Sequence, residues 1–349
     1  MRAITIHAPH DLRVGPSALD APPPGLGEVR VSMAAGGICG SDLHYYHAGG
    51  FGAVRIREPM VLGHEASGFI EALGAGVAHL RVGDLVTVNP SQPCGACAYC
   101  QAGQAQHCEN MIFNGSAMRF PHVQGLFRSA ITIPAERAFA MPSTVSPQEA
   151  ALCEPFAVAL HAVRQAGDLK GRSVLVSGCG PIGILVIVAA KLAGAARIIA
   201  TDLTAHSLDV ARHFGATDAV NVAQPDALAP FAVGRGTMDV VLECSGAPAA
   251  AISAISLVKP RGRIVLVGLG GESPLPLNSI VAKEIEIRGT FRFHLEFAEA
   301  AQLIGSRQVV LDALISAVYP MARAEEAFTH ASDRTRATKV AIDLTGGLS

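Results

Sequence analysis

The segment SVLVSGCGPIGILVIVAAKLAGAARIIATD, residues 173–202, leaves few folds open to the chain that carries it. SVLVSG is a short β-branched run, PIGILVIVAAKLAGA is long enough for a helix, and RIIATD is a second strand. Gly178-Cys179-Gly180-Pro181-Ile182-Gly183 stands at the strand-to-helix turn, and Asp202 ends the second strand. Three glycines alone mark any tight loop; between a strand and a helix, with an acid about twenty residues on, they read as a dinucleotide-binding turn. Gly178 permits the turn, Gly180 admits the pyrophosphate to the backbone, Gly183 lets helix and strand pack closely, and the helix N-terminus favours phosphate charge. Asp202 would accept hydrogen bonds from an adenosine ribose, selecting NAD over NADP. Its plainer alternative is an N-cap for the helix that LTAHSL begins.

The alternation continues through DAVNV, MDVVLECSG and RIVLVGLGG, with helical stretches TAHSLDVARHFGA and AAAISAISLVKP between them. Such a series implies a parallel sheet with helices on both faces. A length of 349 residues leaves room for a second domain with its own core.

The first half carries a second constraint, QPCGACAYCQAGQAQHC, which puts four of the eight cysteines at Cys94, Cys97, Cys100 and Cys108. The N-terminal MRAITIHAPHDLRVG lacks the pattern of a secretion signal, so a cytoplasmic protein is expected, in which structural disulfides are rare. Four thiolates on a small-residue loop match tetrahedral Zn²⁺ in a closed, structural shell. An iron–sulfur cluster is the rival, but ferredoxin runs place the fourth cysteine after three residues and before Pro, whereas Cys108 follows after seven and precedes Glu109. Unrelated core cysteines would not recur every third residue in a loop, as Cys94, Cys97 and Cys100 do.

A net charge of −2 and the absence of any Lys/Arg run give no field for nucleic acid or an anionic membrane. The longest apolar run, Ile182–Ala190, is cut by Lys191 and is too short to span a bilayer. An enzyme acting on a small molecule is the default expectation.

Two pieces of the first half hold further donors: GGICGSDLHYYHAGG, with Cys39, Ser41 and His44, and MVLGHEASG, with His64 and Glu65. A lone histidine is more often a satisfied core or surface group than a ligand. In order, Cys39-Gly-Ser41-Asp42, Gly63-His64-Glu65, the four-cysteine loop, Glu154-Pro155 and the glycine turn resemble the medium-chain, zinc-dependent alcohol and polyol dehydrogenases over essentially the whole chain.

That resemblance implies an α/β architecture with a GroES-like, β-rich catalytic domain, residues 1–155 and 289–349, carrying a structural zinc lobe at about 90–110. A Rossmann domain, residues 156–288, is inserted, with the active site in the cleft between the two domains. It implies two Zn²⁺ per chain. Cys39 and His64 would bind the catalytic one, with Glu65 and Glu154 sharing the remaining protein position; Cys153, beside Glu154, is taken as a small core residue. Three protein ligands leave a place for a substrate hydroxyl, whose pKa zinc lowers before hydride passes to the nicotinamide. Ser41 and His44 resemble a relay carrying the released proton to solvent; a surface role for His44 is the alternative. Cofactor contacts are implied at Pro181, Ile182, Ser245, Val267, Gly268 and Phe291, beside the three glycines and Asp202. Relatives often carry an Arg a few residues after that Asp, where this chain has His206 and Ser207.

Within the family, GSDLHYYHAG, PMVLGHE, NPSQPCG, GSAMRFPHVQG and RGTFRF look most like the L-idonate 5-dehydrogenases, which oxidise a sugar acid. Sorbitol- or xylitol-type polyol dehydrogenases are the alternative, and a non-catalytic protein on the same fold is a third reading that the complete donor set argues against. Tyr45 and Arg292 match positions that contact substrate hydroxyls; Tyr46 could equally line the cleft wall. Arg119, whose planar fork suits a carboxylate, and His122 are candidates for the acid end of the substrate, with a solvated loop charge as the alternative for Arg119. The family also suggests a homodimer or homotetramer.

Overall fold

The computed structural model describes residues 1–346, and the chain divides into two compact units. One comprises residues 1–154, 297–333 and those from 339 on; the other comprises 155–296 and 334–338.

The first unit is built on a seven-stranded sheet. Its spatial order is Ala138–Met141, Leu85–Val88, Glu65–Leu73, Glu28–Gly37, Lys339–Asp343 and Ile315–Pro320, with Ala130–Pro134 also paired to Glu28–Gly37. Pairing is antiparallel except between the last two strands of that order. In EVRVSMAAGG, burial alternates at first and then becomes continuous from Met33 to Gly37, so the strand has one covered face at its start and two at its end. At that doubly covered end Gly37 lies opposite Glu65 on one side and Ala341 on the other. The register thereby gathers Cys39, Glu65 and Lys339, which the sequence keeps far apart. A second sheet joins Asp11–Pro16, Arg2–Ala8 and Met60–Val61. A short ladder, Ser91–Gln92 against Ile112–Phe113, closes the stem of the four-cysteine loop.

The second unit holds six parallel strands, Ser173–Ser177, Arg197–Asp202, Asp218–Asn221, Met238–Glu243, Val258–Leu266 and Glu286–Gly289. Numbered along the chain, their spatial order is three-two-one-four-five-six, the doubly wound order of a dinucleotide-binding fold. Helix Pro181–Leu192 buries every residue from Gly183 to Ala190, which is why PIGILVIVAAKL is apolar on all sides rather than striped. Leu175, Ile199, Val241 and Ile264 from four strands pack with Ile255 and Leu257 into one core.

Residues 289–296, expected with the first unit, cluster with the second. Gly289 ends the edge strand of the parallel sheet, and Glu296 accepts hydrogen bonds from His161 Nδ1 (3.1 Å), Arg164 (2.7 Å) and the His294 N–H (2.9 Å). Burial would push the Glu296 carboxyl up, but the bonds from His161 and the backbone hold it down to about 2. An anionic anchor of this kind fastens the segment to the helix that carries His161 and Arg164. No helix among the described residues is long and apolar enough to cross a membrane.

Candidate metal centres and cofactor site

The four cysteines sit on a loop formed by two short turns, Ala98–Gln101 and Ala105–His107. Their sulfurs all lie within 4.8 Å of one another, and Cys97 and Cys100 Sγ are 3.6 Å apart. Four sulfurs at Zn–S distances of 2.3 Å would be separated by about 3.8 Å, so Cys97 and Cys100 stand at about that separation and every pair lies within about 1 Å of it or closer. Cys97 N–H points at Cys94 Sγ (3.4 Å) and Cys94 N–H at Cys108 Sγ (3.2 Å). Backbone N–H groups of Ala96 and Cys97 pull the Cys94 thiol down to about 6, which favours the thiolate a metal requires. All eight cysteines are free thiols.

The second donor set is assembled from the sheet. Cys39 follows the central strand and caps helix Gly40–Ala48, with Asp42 completing a capping box. Gly63 precedes His64 at φ 91°, in the left-handed region; a Cβ there would lie 2.1 Å from the Phe127 ring, so only glycine admits both this turn and the buried phenyl group beneath it. Cys39, His64 and Glu65 each offer a ligand atom within 4.8 Å of the others. His64 is 6% exposed and Glu65 is wholly buried. Asp42, also wholly buried, accepts from Cys39 N–H (3.0 Å) and Gly63 N–H (3.3 Å), and its Oδ1 lies 4.0 Å from His64 Nδ1. One carboxylate thus orients both ligand segments.

Glu65 forms an ion pair with Lys339, itself 2% exposed, whose Nζ donates to Ile38 O at 3.0 Å. A Cβ on Gly37 would lie 2.2 Å from Glu65 Oε2 and 3.0 Å from Lys339 Cε, so that glycine leaves the space the pair fills. Glu65 Oε1 is buried without a hydrogen-bond partner among the described residues. Burial and the neighbouring Glu65 push the Cys39 thiol up to about 12, so the free protein keeps a proton where a metal would replace it. Soft sulfur, imidazole and carboxylate donors with an unsatisfied oxygen suit Zn²⁺ with an open position. Glu154 opens helix Cys153–Ala166 and is 4% exposed. Burial, opposed by His64 and reinforced by Glu65, pushes its carboxyl up to about 8; it stands close enough to sense the three donors without joining their tight cluster. Cys153 is wholly buried, its thiol pushed up to about 12 by burial.

Around the cofactor turn the glycines answer to contact. Gly178 has φ 88°, and a Cβ on it would lie 2.8 Å from Ser245; one on Gly183 would lie 1.8 Å from Gly178 O; one on Gly268 would lie 2.2 Å from Gly246 N. The loops after Ser177, Glu243 and Leu266 thus meet at the sheet edge where strand order reverses, where such folds bind their ligands. Gly180 is the N-cap of helix Pro181–Leu192, and no side chain caps it, which leaves first-turn donors for a phosphate. Pro181 and Ile182 form that partly exposed first turn. Ser245 Oγ contacts Glu243, whose buried carboxylate also takes Ser245 N–H (2.8 Å) and Gly246 N–H (3.1 Å); Val267 and Gly268 N–H reach Glu243 O at 2.8 and 2.9 Å. Asp202 is not the N-cap of the next helix, because Thr204 is. Asp202 Oδ1 accepts from Thr204 N–H (3.0 Å) and its hydroxyl (3.2 Å), and Oδ2 from Cys179 N–H (2.8 Å), leaving an Oδ2 lone pair. These features fit a nicotinamide dinucleotide. Phe291, 37% exposed, carries the Arg292 guanidinium over its ring at 4.9 Å.

Ser41 and the exposed His44 share the helix that Cys39 caps, and the His44 ring lies 5.8 Å from Phe51. Tyr45 is 2% exposed and its hydroxyl accepts from Ala117 N–H (3.0 Å). His122 is buried with both ring nitrogens engaged, Nε2 by Arg57 N–H (2.9 Å) and Nδ1 with Arg119 O (2.8 Å). Arg119 is exposed and donates from Nη1 to Asn110 O (3.2 Å) and Met111 O (3.4 Å), just past the cysteine loop. Lys339 and Glu243 were not singled out from sequence, and Asp42 entered only as part of the Cys39-Gly-Ser41-Asp42 pattern, with no role of its own. Lys339 opens the apolar strand KVAID, and a lysine inside such a run is a readable sign of a buried partner; Asp42 and Glu243 carry no such sign.

Residues 25–143 match the family model described as alcohol dehydrogenase GroES-like domain, and residues 181–306 the one described as zinc-binding dehydrogenase. The chain is 40% identical to L-idonate 5-dehydrogenase (NAD(P)(+)) of Escherichia coli strain K12 over 89% of its length and 90% of that protein. It is 35% identical to sorbitol dehydrogenase of Bacillus subtilis strain 168, over 95% of this chain and 93% of the other. The crystal structure of the Escherichia coli L-idonate 5-dehydrogenase matches with a TM-score of 0.93 at 37% identity, covering 98% of this chain and 97% of that one. With both catalytic-domain and cofactor-domain signatures matched and a zinc donor set in place, the chain belongs to the medium-chain zinc-binding dehydrogenases, NAD(P)-dependent enzymes that act on CH–OH groups.

Proposed function

We propose that this enzyme oxidises L-idonate at C5 to 5-keto-D-gluconate, reversibly, with NAD as the preferred acceptor. The observation that carries the reading is the convergence of Cys39, His64 and Glu65 in a chain whose relative named for that reaction is 40% identical. When bound, zinc supplies Lewis acidity toward the substrate hydroxyl and the dinucleotide accepts hydride. Cys39 and His64 would hold the metal, with Glu65 or Glu154 as the third protein ligand. Lys339 and Gly37 hold Glu65 at that point, and Asp42 fixes the Cys39 and Gly63 backbone that carries the two other ligands. Ser41 Oγ takes the hydroxyl proton and the exposed His44 ring delivers it to water. Asp202 receives the adenosine ribose, and Tyr45 and Arg292 meet substrate hydroxyls. The small-molecule substrate is held by a cytoplasmic homodimer or homotetramer.

Among the described residues Arg119 Nε and Nη2 have no partner, which leaves them to meet the carboxylate. His122 has no ring nitrogen to spare, and this observation favours a second reading, oxidation of a neutral polyol such as sorbitol or xylitol. Initial rates with L-idonate, sorbitol and xylitol, each with NAD and NADP, separate the two. The first reading expects the highest kcat/KM for L-idonate with NAD; a higher value for either polyol overturns it.

A further inference from the structure

Residues 334–338 cluster with the dinucleotide-binding unit although the chain on both sides, through Asp333 and from Lys339, belongs to the other unit. Arg334 Nη1 lies 2.7 Å from where a Cβ on Gly180 would stand, so its guanidinium rests on the glycine that opens the phosphate turn. Arg334 is exposed and has no hydrogen-bond or ion-pair partner among the described residues. Four residues on, Thr338 Oγ1 meets His206 Nε2 at 3.1 Å, in the first turn of the helix that follows Asp202. The segment therefore runs from the diphosphate end of the cofactor groove to its ribose end.

The turn itself, Gly178-Cys179-Gly180-Pro181-Ile182-Gly183, carries no charged side chain. A helix N-terminus offers about half a positive charge, against two on a dinucleotide diphosphate. One unpaired guanidinium, with a fork that matches two phosphate oxygens, supplies the missing cation.

We propose that Arg334 binds the cofactor diphosphate, with the Thr338–His206 contact fixing the far end of its segment. The proposal rests on the dinucleotide reading of the turn.

The test is calorimetric titration of wild type, Arg334→Gln and Arg334→Lys with ADP-ribose and with adenosine, which lacks the diphosphate. Loss of a charged hydrogen bond in Arg334→Gln should weaken ADP-ribose roughly ten- to a hundred-fold and adenosine less than about twofold. Arg334→Lys should recover part of the loss, and the ligand-free melting temperature should not move. ADP-ribose affinity unchanged in Arg334→Gln, or an equal loss for adenosine, overturns the assignment. Failure of the wild type to bind ADP-ribose overturns the dinucleotide reading itself, and the assignment with it.

Discussion

The two donor sets of the first unit solve the same problem in opposite ways. Cys94, Cys97, Cys100 and Cys108 come from one loop closed by a two-stranded stem, and their spacing in sequence is already their spacing in space. Cys39, His64, Glu65 and Lys339 come from a strand end, a tight turn and a strand near the C-terminus, and only sheet register brings them together. A loop stapled by its metal takes its donor geometry from the loop alone. A site built on register depends on the whole sheet.

Turnover should therefore divide the two sets sharply. His64→Ala removes a ligand of the open site and is expected to abolish turnover while ADP-ribose binding stays intact; Cys100→Ser should leave kcat per correctly folded chain unchanged. Retained activity in His64→Ala after thorough metal removal and repurification would break the comparison.

Lys339→Met probes the dependence on register. It leaves the Glu65 carboxylate buried without its cation, a change that typically costs about 3–5 kcal/mol. The double variant Glu65→Gln/Lys339→Met should recover much of that stability in denaturant unfolding, yet turn over slowly. A loss in the double variant equal to the sum of the two single losses would show that the pair is not a coupled unit.

The smallest effect on turnover is expected from Cys100→Ser, whose readout is stability. Metal binding to a closed thiolate site is folding free energy, so the variant should melt several degrees lower, at about 2–4 °C per kcal/mol for units of this size, and lose one equivalent of zinc. Unchanged melting with lost turnover would reverse the roles of the two sites.

The same contrast explains what could be read from the chain. The cysteine loop and the glycine turn are local, so spacing and flanking strands were enough to single out Cys94, Cys97, Cys100 and Cys108, whose sulfurs lie within 4.8 Å of one another, and Gly178, Gly180 and Gly183 as candidates. Cys39, His64 and Glu65 are ordinary residues until a family pattern is laid over them. Lys339 and Arg334 were missed because the positions they face, Glu65 and Gly180, lie more than 150 residues away along the chain, and periodicity carries no information about register at that distance. His122 shows the converse: a histidine beside an arginine suggests a ligand site, but only the fold reveals that Arg57 N–H and Arg119 O already occupy its ring.

Anomalous diffraction at the zinc edge on crystals of the holoenzyme tests the account most directly. It predicts two peaks per chain, one enclosed by the four Sγ atoms of Cys94, Cys97, Cys100 and Cys108, the other held by Cys39, His64 and one glutamate with a position left open. A single peak, or a second one closed by four protein ligands, would contradict it.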